Sequence, residues 1–345
     1  MKKTPYTAAA VLAVSVAVAL TGCNRGDTAG ADAGATNVGF SAGFLDSPFN
    51  SGLVNAVIKE ANTSGSGLSM MPATDAQSDP AKQVTDVNTL LSQGAKGIVM
   101  FPTDSDAIVP AIEAANAQNV PVITTDVAAN GGKVYMNIRA NNVDMGVKVC
   151  EQLGKLTGGK GRILEIHGDL GTSSGYDRNK GFNECIKEKF PGIEVVSKDA
   201  KWKTDQAVNV AQTQLTTSSY DGIFLASDSV MLNGVQSVMK DNGKLFKAGE
   251  AGHVPLVTID GTAGSLQAVR DGYVDAVISQ PVDLYGKYAV SYLKDALAGK
   301  QYKTGPTDHN SEIVDYKGNL ADMLPATVVT KENVDATSLW GNAKK

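Results

Sequence analysis

Four aspartates, a serine and two aromatic residues stand just beyond apolar runs of the chain. Asp46, Ser47 and Phe49 follow the run Val38–Gly43, in a loop that leads into a helix pattern near Ser51. Asp126 closes the run Val120–Thr124, and no helix start follows it directly. Asp260 follows Val254–Ile259 in an Ile-Asp-Gly turn, and Asp228 stands ahead of the helix pattern Ser229–Asp241 as a natural N-cap. Trp202 sits just past Val195–Ser197, between Lys201 and Lys203 and off any core stripe. A carboxylate accepts charge-assisted hydrogen bonds roughly twice as strong as neutral ones. Leaving such a group unpaired in a closed site costs about 1–3 kcal/mol. These residue types therefore suit selective recognition of a polar ligand. Paired carboxylates would also serve glycoside hydrolysis. However, no nucleophile elbow, zinc spacing or nucleotide fingerprint is read in a matching strand–turn–helix setting, so no enzyme, metal or cofactor is expected.

The elements that carry these residues alternate. Strands are expected at Val38–Gly43, Leu68–Met71, Gly97–Phe101, Val120–Thr124 and Val134–Ile138, with helices over Gly52–Ser64, Asp79–Gln93 and Ser105–Gln118. A second series begins at Asn141. Its strands are Arg162–Ile166, Val195–Ser197, Gly222–Ala226, Val254–Ile259 and Ala276–Ser279. Its helices are Val143–Leu156, Ser173–Phe190, Asp205–Thr216, Ser229–Asp241, Ala263–Arg270 and the long Leu284–Ala298. Strand–helix alternation predicts parallel sheets with right-handed crossovers. Ligands of such open sheets bind beyond the carboxyl ends of the strands, where the residues above lie.

The bulk numbers agree with a two-lobed globular protein. The chain has 345 residues, 42% apolar and 19% charged, with a net charge of −5. That length suits two domains, and the absence of a basic stripe disfavours a nucleic-acid partner. Three cysteines do not make a disulfide scaffold. Cys150 and Cys185 fall on consecutive helices; they are either two small buried residues or a disulfide, if their Cα atoms come within about 7 Å. At the amino terminus, Lys2 and Lys3 precede the apolar stretch Ala8–Leu20, which has signal-peptide length. Leu20-Thr21-Gly22-Cys23 resembles the lipobox of bacterial lipoprotein precursors. That resemblance implies a signal peptide over residues 1–22, lipidation of Cys23, a flexible tether over residues 23–36 and an extracytoplasmic, membrane-anchored protein.

Several motifs, in order, carry a wider resemblance: Ser47-Pro48-Phe49, Asp79-Pro80-Ala81-Lys82-Gln83, Phe101–Ala107, Asn119–Asp126, Gly171–Phe182, Ile259–Thr262 and Ile278–Pro281. Together they resemble the type I periplasmic sugar-binding proteins, the ribose/galactose-binding group that feeds ABC importers. The resemblance implies two doubly wound α/β lobes joined by a three-stranded hinge. Residues 37–140 plus 281–303 would form the first lobe, and 141–280 plus 304–345 the second lobe and tail. It implies a monomer that closes on a sugar and docks on ABC permease subunits. It places Ser47, Phe49, Asn50, Asp126, Arg178, Trp202, Asp228, Asp260 and Gln280 around the ligand, with Phe49 and Trp202 as opposed plates; Tyr176, two residues before Arg178, is expected at the rim.

Three departures bear on the ligand. Val127 stands where ribose binders carry a second arginine, Asn50 where they carry a second phenylalanine, and Ser47 where they carry asparagine. A neutral aldose, a polyol or a cyclitol fits this set. A sugar acid or phosphate fits worse, because Asp126, Asp228 and Asp260 face one arginine. A signal molecule or nucleoside as ligand, or a sensor as partner, is the alternative. A repressor core of the same fold would need a DNA-binding segment where the signal peptide and tether stand.

Overall fold

The computed structural model describes residues 1–2, 34–63 and 65–343. Cys23, the signal peptide after residue 2 and nearly all of the tether lie outside the described residues. The elements of the first series are β1 (Thr36–Ala42), α1 (Pro48–Ala61), β2 (Leu68–Met70), β3 (Thr74–Asp75), α2 (Pro80–Ser92), β4 (Ile98–Phe101), α3 (Val109–Ala117), β5 (Val122–Thr125) and β6 (Met136–Ala140). The second series is α4 (Asn142–Leu156), β7 (Lys160–His167), α5 (Ser173–Lys189), β8 (Gly192–Asp199), α6 (Thr204–Thr217), β9 (Gly222–Leu225), a π-helical turn Asp228–Leu232, α7 (Asn233–Asp241), β10 (Leu256–Asp260), α8 (Ala263–Asp271) and β11 (Ala276–Ser279). Then come α9 (Val282–Leu297), β12 (Gly305–Pro306), β13 (Glu312–Tyr316), β14 (Asn319–Leu324), β15 (Thr327–Val329) and a 3₁₀ turn Trp340–Asn342.

Two sheets result. The first runs β12-β13-β14-β6-β5-β4-β1-β2, with β3 also on β1; the second runs β15-β11-β10-β9-β7-β8. Strands β1, β4, β5 and β6 are parallel to one another, as are β7 to β11. Most of these strands are buried on both faces, which explains their continuous apolar runs. The chain crosses between the lobes three times: Ala140 to Asn142, Ser279 to Val282, and Leu324 to Thr327. These crossings are tied together, since Asn141 N–H donates to the Leu324 carbonyl (3.1 Å) and the Tyr285 hydroxyl accepts from Ala140 N–H (2.7 Å) and donates to Gln280 Oε1 (3.0 Å). The expected two lobes on a three-stranded hinge are present.

The assignment of residues 304–345 to the second lobe needs correction. Strands β12 to β14 extend the first sheet, with β14 parallel to β6; only β15 and the residues after it join the second lobe. Side chains hold β14 there. Asn319 Oδ1 accepts from Val134 N–H at 3.0 Å, Asn137 Nδ2 donates to the Leu320 carbonyl at 2.9 Å, and buried Asp322 accepts from the Tyr292 hydroxyl of α9 at 2.9 Å.

Glycine sets the spacing of the two helices that open the second lobe. A methyl group on Gly146 of α4 would collide with the Arg178 carbonyl oxygen, and one on Gly181 of α5 would collide with the Val143 carbonyl oxygen. The two backbones therefore touch, and Cys150 and Cys185 meet one to two turns further on with Cα atoms 6.2 Å apart, joined by a disulfide. Of the two readings open for these cysteines, the bonded one holds in the structure.

Candidate functional site

Each site residue is delivered by a strand end or a helix start. At the first strand end, Ser47 caps α1: its Oγ accepts Asn50 N–H at 3.2 Å, and Pro48 occupies the first turn. This turn buries Phe49 and Asn50 at the head of the helix. Gln83 of α2 reaches over to the end of β4, where its Nε2 donates to the Phe101 carbonyl (2.9 Å) and its Oε1 accepts from Thr103 N–H (2.8 Å). The conspicuous Asp79–Gln83 motif thus holds the second strand-end loop in place. Asp126, past the end of β5, adopts φ of +59°, a conformation that costs an ordinary residue free energy and recurs at functional sites.

The second lobe faces this wall. Arg178 of α5 is 3% exposed and donates Nε–H to Asn142 Oδ1 (2.8 Å) and Nη1–H to the Ala226 carbonyl (2.7 Å). These two bonds hold its fork in position, 3.9 Å from Asp126 Oδ1 across the cleft and 3.8 Å from Asp260 Oδ1. Trp202 sits at φ +56° after Lys201 at +48°, and its Nε1–H donates to Thr172 Oγ1 at 3.0 Å. The indole lies where a Cβ on Gly168 would be, so only glycine fits there. The Arg178 guanidinium stands 5.5 Å from the Trp202 ring, within cation–π range.

Asp260 is the hub of the second lobe's wall. Its Oδ1 accepts from Gln280 Nε2 (2.8 Å), and its Oδ2 accepts from Ser227 Oγ (2.6 Å) and Ser229 Oγ (2.8 Å). Asp228 points elsewhere: its Oδ2 accepts from Gly261 N–H at 2.7 Å and Thr262 N–H at 3.3 Å, bracing the start of α8. Burial, then the Asp260 carboxylate, push the Asp228 carboxyl up to about 7. Burial also raises Asp126, against the opposing effect of Arg178. Oδ1 of Asp126 and Oδ1 of Asp228 are buried and have no hydrogen-bond partner among the described residues.

Between the lobes lies a cavity with about 430 Å³ of space free of protein atoms, the solvent at its mouth included. The first lobe lines it with Ser47, Phe49, Asn50, Asp126 and Val127, and with the neighbouring Phe44. The second lobe contributes Ser174, Arg178, Trp202, Ser227, Ser229 and Asp260, and Gln280 enters from a crossing. Eight of the ten residues expected from the sequence therefore share one cavity. Asp228 lies behind the lining, and Tyr176 is 52% exposed on the outside. The helix explains Tyr176: Ser174 and Arg178 are four residues apart and share a face, whereas Tyr176, two residues from each, does not. Asp46, too, is exposed. Phe44, Ser174, Ser227 and Ser229 were missed; for Ser227 and Ser229 the signal is their flanking of Asp228, since a side chain that braces a loop leaves its neighbours facing the cleft. The π-helical turn at Asp228–Leu232 follows, a feature frequent at functional sites.

Contrary to the expectation of no nucleophile elbow, Gly171-Thr172-Ser173-Ser174-Gly175 carries the Gly-x-Ser-x-Gly spelling between β7 and α5. Ser173 is not placed as a nucleophile. Its Oγ accepts Ala128 N–H (2.8 Å) and its N–H donates to Ser105 Oγ (3.0 Å), both from the other lobe. These bonds, with an Arg139–Asp177 ion pair at 2.7 Å, close the lobes on the cavity.

The family model for the periplasmic binding protein domain matches residues 38–301. The chain belongs to the periplasmic binding protein family. The resemblance to the type I sugar-binding proteins of ABC importers is thereby borne out, as is its non-enzymatic, ligand-binding character, and the family places the protein outside the cytoplasm. It is similar to the ribose import binding protein of Escherichia coli, 32% identical over 259 residues that cover 74% of this chain and 83% of that one. It is also similar to the xylitol-binding protein of Mycolicibacterium smegmatis, 28% identical over 343 residues that cover 97% of this chain and 88% of that one. Among solved structures, it is similar to an ABC transporter solute-binding protein from Mycobacterium smegmatis with bound glycerol. That likeness has a TM-score of 0.76 at 25% identity and covers 88% of this chain and 97% of that one.

Proposed function

We propose that this periplasmic binding protein captures a small neutral polyhydroxylated molecule, a monosaccharide, polyol or cyclitol, and hands it to the permease of an ABC importer. The observation that carries the reading is the polar balance of the cavity. One guanidinium, Arg178, already faces the carboxylates of Asp126 and Asp260. Among the described residues no second cation lines the cavity, so an anionic ligand would meet uncompensated carboxylates. Asp126 Oδ1, buried and without a partner among the described residues, offers an acceptor to a ligand hydroxyl. Phe49 and Trp202 offer apolar rings to the C–H face of a sugar, and the serines of the cleft donate and accept, as hydroxylated ligands require.

Closure supplies the mechanism. Ligand bonds from both lobes exist together only in the closed form, so ligand draws the population towards it. The relatives named for ribose and xylitol and the structure holding glycerol support a hydroxylated ligand. We further propose that Cys23 is lipidated, that the protein acts as a membrane-anchored monomer, and that residues 24–36 are its tether. A thermal-shift panel of pentoses, hexoses, pentitols, cyclitols and the corresponding sugar acids tests the ligand class, because a molecule that binds only the folded state raises the melting temperature. At least one neutral member should raise it; stabilisation by sugar acids alone would overturn the reading.

A further inference from the structure

Beyond residue 301, where the family match ends, the chain returns to the binding site. After β15 it runs along the second lobe, burying Val334 and Leu339, and ends in the 3₁₀ turn at Trp340. Arg270 of α8 ties this segment down, donating Nε–H to Asp335 Oδ1 (2.8 Å) and Nη2–H to Asn342 Oδ1 (2.7 Å). From that anchorage the half-buried indole of Trp340 reaches two cavity residues on different lobes. Its Nε1–H donates to the Asp260 carbonyl at 2.9 Å. Its ring meets Phe49 edge-on, with centroids 6.2 Å apart and planes at 70°, and lies against Gly52 of α1.

Both contacts fall where the site needs support. Asp260 has φ of +117°, a region L-residues rarely adopt. Its carbonyl is held there by Gln280 N–H (2.9 Å) and by Trp340. Phe49 is held edge-on between Tyr285 (6.3 Å) and Trp340, which leaves its remaining surface to the cavity. We infer that the carboxyl-terminal segment is a strap belonging to the binding site, and that Trp340 is a positioning residue. It sets the Asp260 turn through its N–H and the Phe49 plate through its ring, and so sets ligand affinity without lining the cavity. The inference rests on the binding function proposed above for its effect on affinity, and on geometry alone for its effect on the two loops.

Hydrogen exchange of the ligand-free protein separates the two contacts. Trp340→Ala should speed amide exchange about tenfold or more in both residues 47–53 and residues 259–262. Trp340→Phe, which keeps a ring but no N–H, should loosen residues 259–262 and leave residues 47–53 protected. Arg270→Gln, which frees the strap at a distance, should act like Trp340→Ala at smaller amplitude. Unchanged protection in Trp340→Ala, or loss spread evenly over the second lobe, would overturn the positioning role. Titration with xylitol, ribose and myo-inositol as probes adds the affinity arm: whichever binds the wild type should bind Trp340→Ala at least tenfold more weakly. Equal affinity would overturn the inference. Failure of the wild type to bind all three would count against the choice of ligand class, while the exchange result still decides the strap.

Discussion

Arg139 of β6 and Asp177 of α5 form an ion pair at 2.7 Å that crosses from one lobe to the other, with the two side chains 1% and 8% exposed. The Tyr316 ring lies 4.5 Å from the guanidinium, and its hydroxyl donates to the same Asp177 oxygen at 3.2 Å. Opening the cleft would return both charges to water; closing it buries them together. Truncating one partner therefore strands the other in the closed form only, at a cost of about 3–5 kcal/mol. Asp177→Leu should shift the protein towards the open form, visible as a larger radius of gyration in solution scattering and faster ligand release. The double variant Arg139→Met, Asp177→Leu should recover closure, since an apolar pair of similar volume is often neutral. Identical scattering from wild type and Asp177→Leu would show that the pair does not weight closure.

Asp228 ties stability to pH. Its carboxyl is pushed from 3.8 up to about 7, by burial first and by Asp260 second. Between about pH 4 and pH 7 the folded protein therefore holds a proton that the unfolded chain has lost. Stability then falls as pH rises through that window. Burial raises Asp126 and Glu165 with the same sign, so the informative quantity is a difference. Asp228→Asn keeps an oxygen for the Gly261 and Thr262 N–H groups and has no proton to lose. Its melting temperature should drop less than that of the wild type between pH 5 and pH 8. An equal drop would remove Asp228 as a source of the slope.

The contact between α4 and α5 positions Arg178. A Gly181→Ala change forces a methyl group onto the Val143 backbone, and overpacking of this kind costs typically about 1–3 kcal/mol. Chemical denaturation should show a lower midpoint with an unchanged slope. Ligand affinity should fall as well, because Arg178 is on the displaced helix and Asn142, which holds it, is on the other. Loss of stability with affinity intact would mean that the helices relax without moving Arg178.

The same two helices are joined by Cys150 and Cys185, 35 residues apart in sequence. By loop entropy a bridge of that span contributes about 3–4 kcal/mol. Reductant should lower the melting temperature, and denatured, unreduced protein should show no free thiol from this pair. Two free thiols besides Cys23 would contradict the bond.

What the sequence made legible follows range of interaction. Strands buried on both faces read as unbroken apolar runs, so Asp126 and Asp260 could be placed at strand ends from local pattern alone. Caps were local but unevenly read: Asp79-Pro80 opens α2 where the helix is expected, whereas α1 begins at Pro48 behind the Ser47 cap, ahead of the start expected near Ser51. The fate of the tail was not legible, because β14 is assigned to the first lobe by Asn137, Asn319 and Asp322, whose partners lie far away in the chain. Trp340 was invisible for the same reason: its partner Asp260 is 80 residues away. Tyr176 failed differently. Its proximity to Arg178 in sequence suggested the rim, but the helical period turns it to solvent.

On the function proposed above, the cleft takes a neutral polyhydroxylated ligand because the Arg178 guanidinium is already balanced by the Asp126 and Asp260 carboxylates. Titration calorimetry with matched pairs tests it most directly, each neutral sugar or polyol set against the sugar acid of the same carbon skeleton. Saturable binding of at least one neutral member, with its acid bound at least tenfold more weakly, is the predicted result. Tighter binding of the acid would contradict the claim.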